Sequence, residues 1–181
     1  MSVNLGNYKV QDLHKPNFFK KLFWYYINII FFKSGLFPFY TSKIILLKIF
    51  GAKIGKNIII KPCINIKFPW NLIIGDNVWI GENVWIDNLT LVIIGNNVCI
   101  SQGAMLINGN HNYKSINFEI ILQPIEIKNG VWICAKSIVN GGVTIGENAV
   151  LLTGSVANKS LEANSIYQGV PAVKVRNREF N

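Results

Sequence analysis

The chain has 181 residues, half of them apolar, which is enough for one domain with a full core and a small appendage. Its three cysteines form no CxxC or other paired motif, so neither a disulfide framework nor a zinc knuckle is predicted, and a reducing cytoplasm is expected. The net charge of +9 lies in the first third, because residues 1–61 hold ten lysines and one acid while residues 62–181 hold eight basic and eight acidic residues.

The N-terminal segment is basic and aromatic, as FFKKLFWYYINIIFFK at 18–33 illustrates. Its apolar run at 22–32 is about half of the ~20 residues that a membrane-spanning helix needs. No convincing small-residue cleavage site follows, so neither a spanning helix nor a signal peptide is expected. The pattern predicts a helix over 18–32, a break at SGLFP, and a second helix in SKIILLKIFG that ends at Gly51. Residues 1–51 are therefore interpreted as a helical cap.

From Ile54 onward the sequence repeats with a period of six. The repeat frame falls at 54, 60 and 66, at 74, 80 and 86, at 94, 100 and 106, and at every sixth residue from 127 to 175. Only Gly169 among these positions is not aliphatic. Glycine follows directly in IGKN, IGDN, IGEN and IGNN, and a second small or β-branched residue stands four positions into many hexads.

Neither a helix nor simple strand alternation produces this period, but a prism of short parallel strands does. Each hexad forms one flat side, and glycine or asparagine turns the corner where a positive φ is needed. The predicted coils start at 54, 74, 94, 127, 145 and 163, so the long third step contains an insertion, an excursion loop at about 107–126. We predict an all-β solenoid over 52–176, followed by a tail at 177–181. A long excursion from a strict solenoid is usually functional.

Several stretches carry a family resemblance: LLKIFGAKIGKNIIIKP, FPWNLIIGDNVWIGENVW, CISQGAMLINGNHNY, KNGVWICAKSIVNGGVTIGENAV and IYQGVPAVKVR. They resemble the hexapeptide-repeat acyltransferases, in particular the sugar O-acetyltransferases of colanic-acid and capsule synthesis. The resemblance covers essentially the whole chain. It implies a left-handed parallel β-helix, acetyl-CoA as the acyl donor, and a sugar hydroxyl of a surface polysaccharide as the acceptor.

His111 is the candidate catalytic residue, because it lies in the excursion, within NGNHNY. Attack of an alcohol on a thioester needs a base that is partly neutral near pH 7, which imidazole provides. The resemblance implies that this histidine takes the acceptor's proton while the oxygen attacks the acetyl carbonyl directly, with a backbone N–H holding the oxyanion. An exposed loop histidine without a role is the alternative.

A zinc site is a further possibility for this fold, because the γ-type carbonic anhydrases share it, and such a site needs three histidine ligands. The solenoid contains only His111, since His14 lies in the cap, so no metal is expected. No cysteine or serine stands in a nucleophile motif either.

The resemblance also implies an acceptor site made by polar residues on the coil that faces the histidine loop: Asn83, Asp87 and Asn88. Asp87 is favoured because its hexad reads ID where others read IG. Asn83 is equally well explained as a turn former.

For coenzyme A, the family positions place Ala135 (in WICAKS) and Thr153 (in LLTGS) beside the pantetheine arm. Asn158 and Lys159 stand where the family usually has Thr-Lys, and Arg176 matches one of two usual tail arginines. The remaining candidates are Lys174, which adjoins the position of the second arginine, and Trp132, which either walls the acyl site or packs at a corner. A solvated basic tail is the alternative for Lys174, Arg176 and Arg178.

The resemblance implies a homotrimer in which His111 of one subunit faces Ala135 and Trp132 of the next. Other acceptors remain open, namely serine, an amino sugar or an antibiotic hydroxyl, as does a non-catalytic β-helix. The basic cap is expected to cover the open first coil. Its lysines and aromatics also fit a helix lying on the inner face of the cytoplasmic membrane. Nucleic acid is disfavoured, because no element that reads bases accompanies the charge.

Overall fold

The computed structural model describes residues 2–8 and 18–180. A 3-10 turn (Leu5–Asn7) is followed by helix α1 (Phe18–Ile27), which continues as a π-helical stretch (Asn28–Lys33), and by helix α2 (Tyr40–Ile49). A second 3-10 turn (Pro69–Asn71) lies within the strand region. The strands are β1 (Lys53–Ile54), β2 (Ile59–Ile60), β3 (Asn65–Ile66), β4 (Leu72–Ile74), β5 (Trp79–Ile80), β6 (Trp85–Asp87), β7 (Val92–Ile94), β8 (Cys99–Ile100), β9 (Met105–Ile107), β10 (Gly109–His111), β11 (Ile120–Leu122), β12 (Ile125–Ile127), β13 (Trp132–Ile133), β14 (Ile138–Asn140), β15 (Thr144–Ile145), β16 (Val150–Leu151), β17 (Val156–Ala157), β18 (Ser165–Gln168) and β19 (Val173–Asn177).

The strands wind into a parallel solenoid with three flat faces. Face A holds β1, β4, β7, β12 and β15; face B holds β2, β5, β8, β13, β16, β18 and β19; face C holds β3, β6, β9, β14 and β17. We call the corners between consecutive faces edge AB, edge BC and edge CA. The repeat-frame residues from Ile54 to Ala157 point inward and form one continuous apolar core. The predicted solenoid is confirmed, and so are its coil steps from 54 to 145, because Ile54 pairs with Ile74 and each later coil start pairs with the one before it.

Edge AB explains the recurring IGxN sequences. The side chain of Asn96 accepts a hydrogen bond of 2.7 Å from the backbone N–H of Asp76 in the previous coil. A Cβ on Gly75 would collide with that same amide oxygen, so glycine is needed there. The next corner residue, Asn77, adopts a φ of 58° and donates to Asn97 one coil above. These asparagine hydrogen bonds repeat from coil to coil along edge AB, and we call this row the ladder. Glycine leaves room for the ladder, and asparagine supplies both its hydrogen bonds and the left-handed turn.

The last coil departs from the predicted spacing. Leu161 forms a bridge with Ile145, and Tyr167 pairs with Leu151, so this coil is two residues shorter than predicted. The physical reason is burial, since leucine and tyrosine fill the core better than the residues the predicted frame would have placed there. The inward positions predicted at 163, 169 and 175 are wrong: Ala163 and Val175 are exposed, and Gly169 lies in the turn before β19, which runs antiparallel to β18.

The helices close the open end of the first coil. Trp24, Phe32 and Leu47 are buried in the solenoid core, as the cap prediction requires. The indole Nε1 of Trp24 donates to the carbonyl of Ile66 at 3.0 Å, which satisfies a backbone group of an otherwise unpaired edge strand. Helix α2 ends near Gly51, whose φ is +102°.

A buried lysine completes this closure. The Lys43 side chain is fully buried, and its Nζ donates to the carbonyl of Lys61 at 3.0 Å. Burial lowers the pKa of Lys43 from its ordinary value of 10.5, and the neighbouring Cys63 opposes this effect. No helix within the described residues is long and apolar enough to cross a membrane.

Candidate active site

The excursion leaves the solenoid at edge CA, between β9 and β12, where a buried asparagine anchors it. The Asn108 side chain accepts from the Thr90 N–H at 3.2 Å and donates to the Thr90 carbonyl at 2.7 Å. One coil below, Asn88 is bound in the same way to the N–H and carbonyl of Phe68. At this corner no neighbouring strand pairs with the backbone N–H and carbonyl of Phe68 and Thr90. The asparagine side chains bind these groups instead.

The same geometry bears on one predicted acceptor residue. Asn88 is fully buried, and both polar ends of its amide are bound to Phe68. It has no free surface to offer to a sugar, so the structure argues against the predicted acceptor role and indicates a structural one.

Within the excursion, β10 and β11 form an antiparallel hairpin in which Gly109 pairs with Leu122 and His111 with Ile120. The turn is closed by a hydrogen bond of 2.8 Å from the N–H of Asn112 to the carbonyl of Glu119. His111 is thus held on a paired strand rather than on an unpaired loop.

The imidazole of His111 is fixed on three sides. Its Nδ1 lies 2.9 Å from the carbonyl oxygen of Phe118. The Phe118 ring stacks on it, with centroids 4.3 Å apart and planes 7° apart, and the Tyr8 ring makes a T-shaped contact with it, with centroids 5.5 Å apart. Because a carbonyl can only accept, the neutral imidazole carries its proton on Nδ1 and keeps the lone pair of Nε2 for another partner. Sequence reasoning missed both aromatic neighbours, and no motif marks them.

Asp87, a predicted acceptor residue, ends β6 and pairs in register with Ile107, directly below the start of the excursion. Its side chain is 13% exposed, and its Oδ1 lies 2.9 Å from the Nζ of Lys67. This oxygen is buried, and its contact with Lys67 is an ion pair rather than a hydrogen bond. Lys67 was missed, although its spacing of one coil from Asp87 could have revealed it.

The third predicted acceptor residue, Asn83, lies elsewhere. It is exposed at edge BC with a φ of 58°, and its N–H donates to the carbonyl of Pro62. Its conformation is that of a turn former, and within one chain it does not share an edge with His111.

The residues predicted beside pantetheine and at the acyl site cluster around edge BC. Trp132 projects from face B, 45% exposed, and its Nε1 donates to the Ser101 hydroxyl at 2.9 Å. The Ala135 carbonyl accepts from the N–H of Gly154, which follows the exposed Thr153 in the next coil. These three predicted residues are therefore neighbours on a different edge of the prism from the excursion.

The remaining predicted residues do not join that cluster within one chain. Asn158 and Lys159 are exposed at edge CA, the edge of the excursion. Lys174 and Arg176 lie on β19, where Lys174 forms a salt bridge of 2.8 Å with Glu162. Arg176 borders a surface cavity of about 400 Å³ near the end of the chain.

Arg178 has a structural role that the sequence did not reveal. Its guanidinium donates to the carbonyls of Gly130 and Asn148 at 3.0 Å each, and it lies over the Phe180 ring. The basic tail is thus tied to edge AB at this residue rather than solvated.

The thiols nearest to Trp132 are not activated. Burial raises the pKa of Cys99, against a smaller opposing hydrogen bond from Ser101. Burial also raises the pKa of Cys134, with a further contribution from Cys99. Neither is poised to form the thiolate that covalent catalysis requires. Within residues 2–8 and 18–180, no group of three or more His, Cys, Asp or Glu side chains could hold a metal ion.

Comparison with known proteins gives the family. No protein-family model matches the sequence. The chain is 38% identical over 162 residues to the protein named "Putative colanic acid biosynthesis acetyltransferase WcaF" of Escherichia coli (strain K12), covering 90% of this chain and 89% of that protein.

Solved structures agree with this match. A galactoside acetyltransferase in complex with coenzyme A is 28% identical, with a TM-score of 0.77 over 88% of this chain and 81% of that one. A hexapeptide-repeat acetyltransferase of Vibrio cholerae O1 biovar eltor, complexed with acetyl-coenzyme A, is 26% identical, with a TM-score of 0.75 over 81% of each chain. The solenoid is accordingly a left-handed β-helix, as predicted. The chain belongs to the hexapeptide-repeat acetyltransferase family, and it is an acetyltransferase.

Proposed function

We propose that this acetyltransferase takes its acetyl group from acetyl-CoA and transfers it to a sugar hydroxyl in the biosynthesis of a surface polysaccharide. The names of the similar proteins support this, since they include a colanic acid biosynthesis acetyltransferase and a galactoside acetyltransferase crystallised with coenzyme A. The three thiols are free, which fits work in a reducing cytoplasm.

One observation carries the proposed chemistry: the hydrogen bond between His111 Nδ1 and the carbonyl of Phe118. With Nδ1 protonated, Nε2 accepts the proton of the acceptor hydroxyl as the oxygen attacks the thioester carbonyl. The tetrahedral oxyanion then collapses, the carbon–sulfur bond breaks, and the thiolate leaving group takes the proton back from Nε2. The Phe118 carbonyl stabilises the imidazolium that exists between these two proton transfers.

We propose that the active site forms between subunits of a homotrimer. His111 projects from edge CA, whereas Ala135 and Trp132 lie around edge BC. A site that uses both groups therefore needs a second copy of the chain.

Asp87 is our candidate for holding the acceptor. Its side chain is 13% exposed and borders a surface groove, and the residue lies one coil below the base of the excursion. A carboxylate can accept hydrogen bonds from sugar hydroxyls and so orient the one that reacts.

The test is thiol release from acetyl-CoA with a panel of glycosides, nucleotide sugars and lipid-linked sugars. His111→Asn removes the base and should lower kcat by at least a hundred-fold, while the trimer persists in light scattering. Tyr113→Ala, on the exposed turn of the same excursion, is the matched control and should keep most of the activity.

Asp87→Asn should raise KM for the acceptor and leave KM for acetyl-CoA unchanged. Full turnover by His111→Asn would overturn the proposed mechanism, and turnover only with amine acceptors would overturn the proposed substrate class.

A further inference from the structure

The helical segment 18–33 has an apolar outer surface that the solenoid does not use. Phe19, Phe23, Tyr26 and Ile30 form one row, with 64%, 63%, 55% and 48% of their surface exposed. The residues that precede each of them form a second exposed row beside it. We call these two rows the outer face.

The opposite side of the same segment packs against the solenoid. Trp24, Asn28 and Phe32 are buried at successive turns, and Asn28 donates to Asn65 at 2.8 Å. The helix is therefore already anchored through its buried side, while the rings of the outer face stay exposed. A contiguous exposed apolar surface of this kind marks an interaction site.

The charge around the outer face indicates what it binds. Residues 18–51 of the cap hold five lysines and no acidic residue, and one of the five, Lys43, is buried. Lys33, at the end of the segment, and Lys48, on α2, are both exposed. A surface that combines aromatic rings with lysines and lacks acids complements an interface that is apolar within and anionic outside, which is the surface of an anionic bilayer.

Two other arrangements fit less well. Self-association through the outer face would bring the lysines of two copies together, which costs electrostatic free energy. Spanning is excluded for this segment by length, because sixteen helical residues reach about 24 Å and the hydrocarbon core is about 30 Å thick. A helix of this length with one anchored side can instead lie in the plane of the interface.

We infer that segment 18–33 docks on an anionic lipid bilayer through its outer face, with its axis in the membrane plane.

Docking has a consequence for the acceptor. A groove of about 460 Å³ runs between this segment and face C, with Tyr25 and Ile29 on one side and Trp85 and Asp87 on the other. The groove leads from the lipid surface to the candidate acceptor carboxylate, so the acceptor is a glycan held at the membrane. This second step rests on the proposed function, whereas the docking itself does not.

Docking is tested by co-sedimentation of the full chain with vesicles, in the absence of acetyl-CoA and acceptor. Vesicles of phosphatidylethanolamine with phosphatidylglycerol are compared with neutral phosphatidylcholine vesicles. Phe19→Gln/Phe23→Gln removes apolar contact and should weaken binding at least ten-fold. Lys33→Gln/Lys48→Gln should weaken binding to the anionic vesicles by about five-fold for each lysine, and added salt should do the same to the wild type. Phe180→Gln and Lys114→Gln are the matched controls, exposed residues of the same types outside the cap, and should bind like the wild type.

The inference is overturned if the wild type does not sediment with anionic vesicles, or if the double phenylalanine variant sediments equally well. It is also overturned if that variant changes the number of subunits in light scattering, since the outer face would then be a contact between copies. Thermal unfolding midpoints equal to that of the wild type confirm that the variants fold. Because no substrate is present, failure here leaves the proposed acetyl transfer untouched.

Discussion

The Nδ1 atom of His111 lies 2.9 Å from the carbonyl oxygen of Phe118, and the two rings stack at 4.3 Å. One residue thus fixes both the tautomer and the plane of the imidazole. The hairpin pairing of His111 with Ile120 brings residue 118 back to this position. The excursion therefore contains both the proposed base and the group that orients it.

The Phe118 side chain is expected to position His111 rather than to touch substrate. Phe118→Ala keeps the backbone carbonyl but loses the stacked ring, a contact worth about 0.5–1.5 kcal/mol. We expect kcat to fall by about two- to ten-fold, with KM for acetyl-CoA unchanged, in steady-state thiol-release assays. A rise in KM for acetyl-CoA at constant kcat would instead place the ring in the donor site.

Tyr8 is expected to support the same histidine from the N-terminal segment. Its ring edge lies against the imidazole, and the nearby Asn4 N–H donates to the carbonyl of Ile116 in the excursion. Tyr8→Ala should lower kcat by about two- to five-fold, less than the loss of the stacked ring. Leu5→Ala, which removes an exposed side chain of the same segment, is the control. Equal losses in both variants would show a general effect of the segment and not of the ring contact.

The regular part of the molecule could be predicted because every coil repeats the same requirements. A residue that points inward at 54 forces residues 74 and 94 to do so, and a glycine that admits one ladder recurs one coil later. The prediction failed at Leu161, where glutamate replaces the corner glycine of the repeat. Asn164, three positions later, still adopts a positive φ of 53° and accepts a hydrogen bond from Asn148, so the asparagine spacing could have given the correct register.

The excursion could be located but not built from the sequence. Its position follows from the interrupted repeat, and the chemistry of His111 follows from the residue type. The Phe118 and Tyr8 contacts depend on the hairpin register and on a segment more than a hundred residues away, and no periodicity encodes either. The role of Asn88 was also hidden, because a buried backbone clamp and an acceptor ligand have the same residue type.

Asn88 and Asn108 provide a matched pair of variants. Each amide binds both the N–H and the carbonyl of a residue one coil below, so Asn88→Ala and Asn108→Ala should each lower the free energy of unfolding by about 2 kcal/mol. Only Asn108 anchors the excursion, so only its variant should also lose turnover at temperatures where both remain folded. Urea unfolding and thiol release measure the two effects. A raised acceptor KM in Asn88→Ala would restore the acceptor role that its burial argues against.

Lys43 should make the stability of the cap depend on pH. Because burial lowers its pKa below 10.5, the unfolded lysine holds its proton more tightly than the folded one. Between the lowered pKa and 10.5, unfolding takes up a proton, so the contribution of Lys43 to the free energy of unfolding rises with pH across this window and is least favourable below it.

Lys43→Met removes this slope, although it also leaves the Lys61 carbonyl without its donor. Urea unfolding at fixed protein concentration, at pH values from 7 to about 10, should therefore show the wild type gaining stability relative to Lys43→Met as the pH rises. Lys48→Met, on the exposed side of the same helix, should run parallel to the wild type. If Lys43→Met also ran parallel, the ammonium would be solvated in the folded protein, and the closure of the first coil would not involve a buried charge.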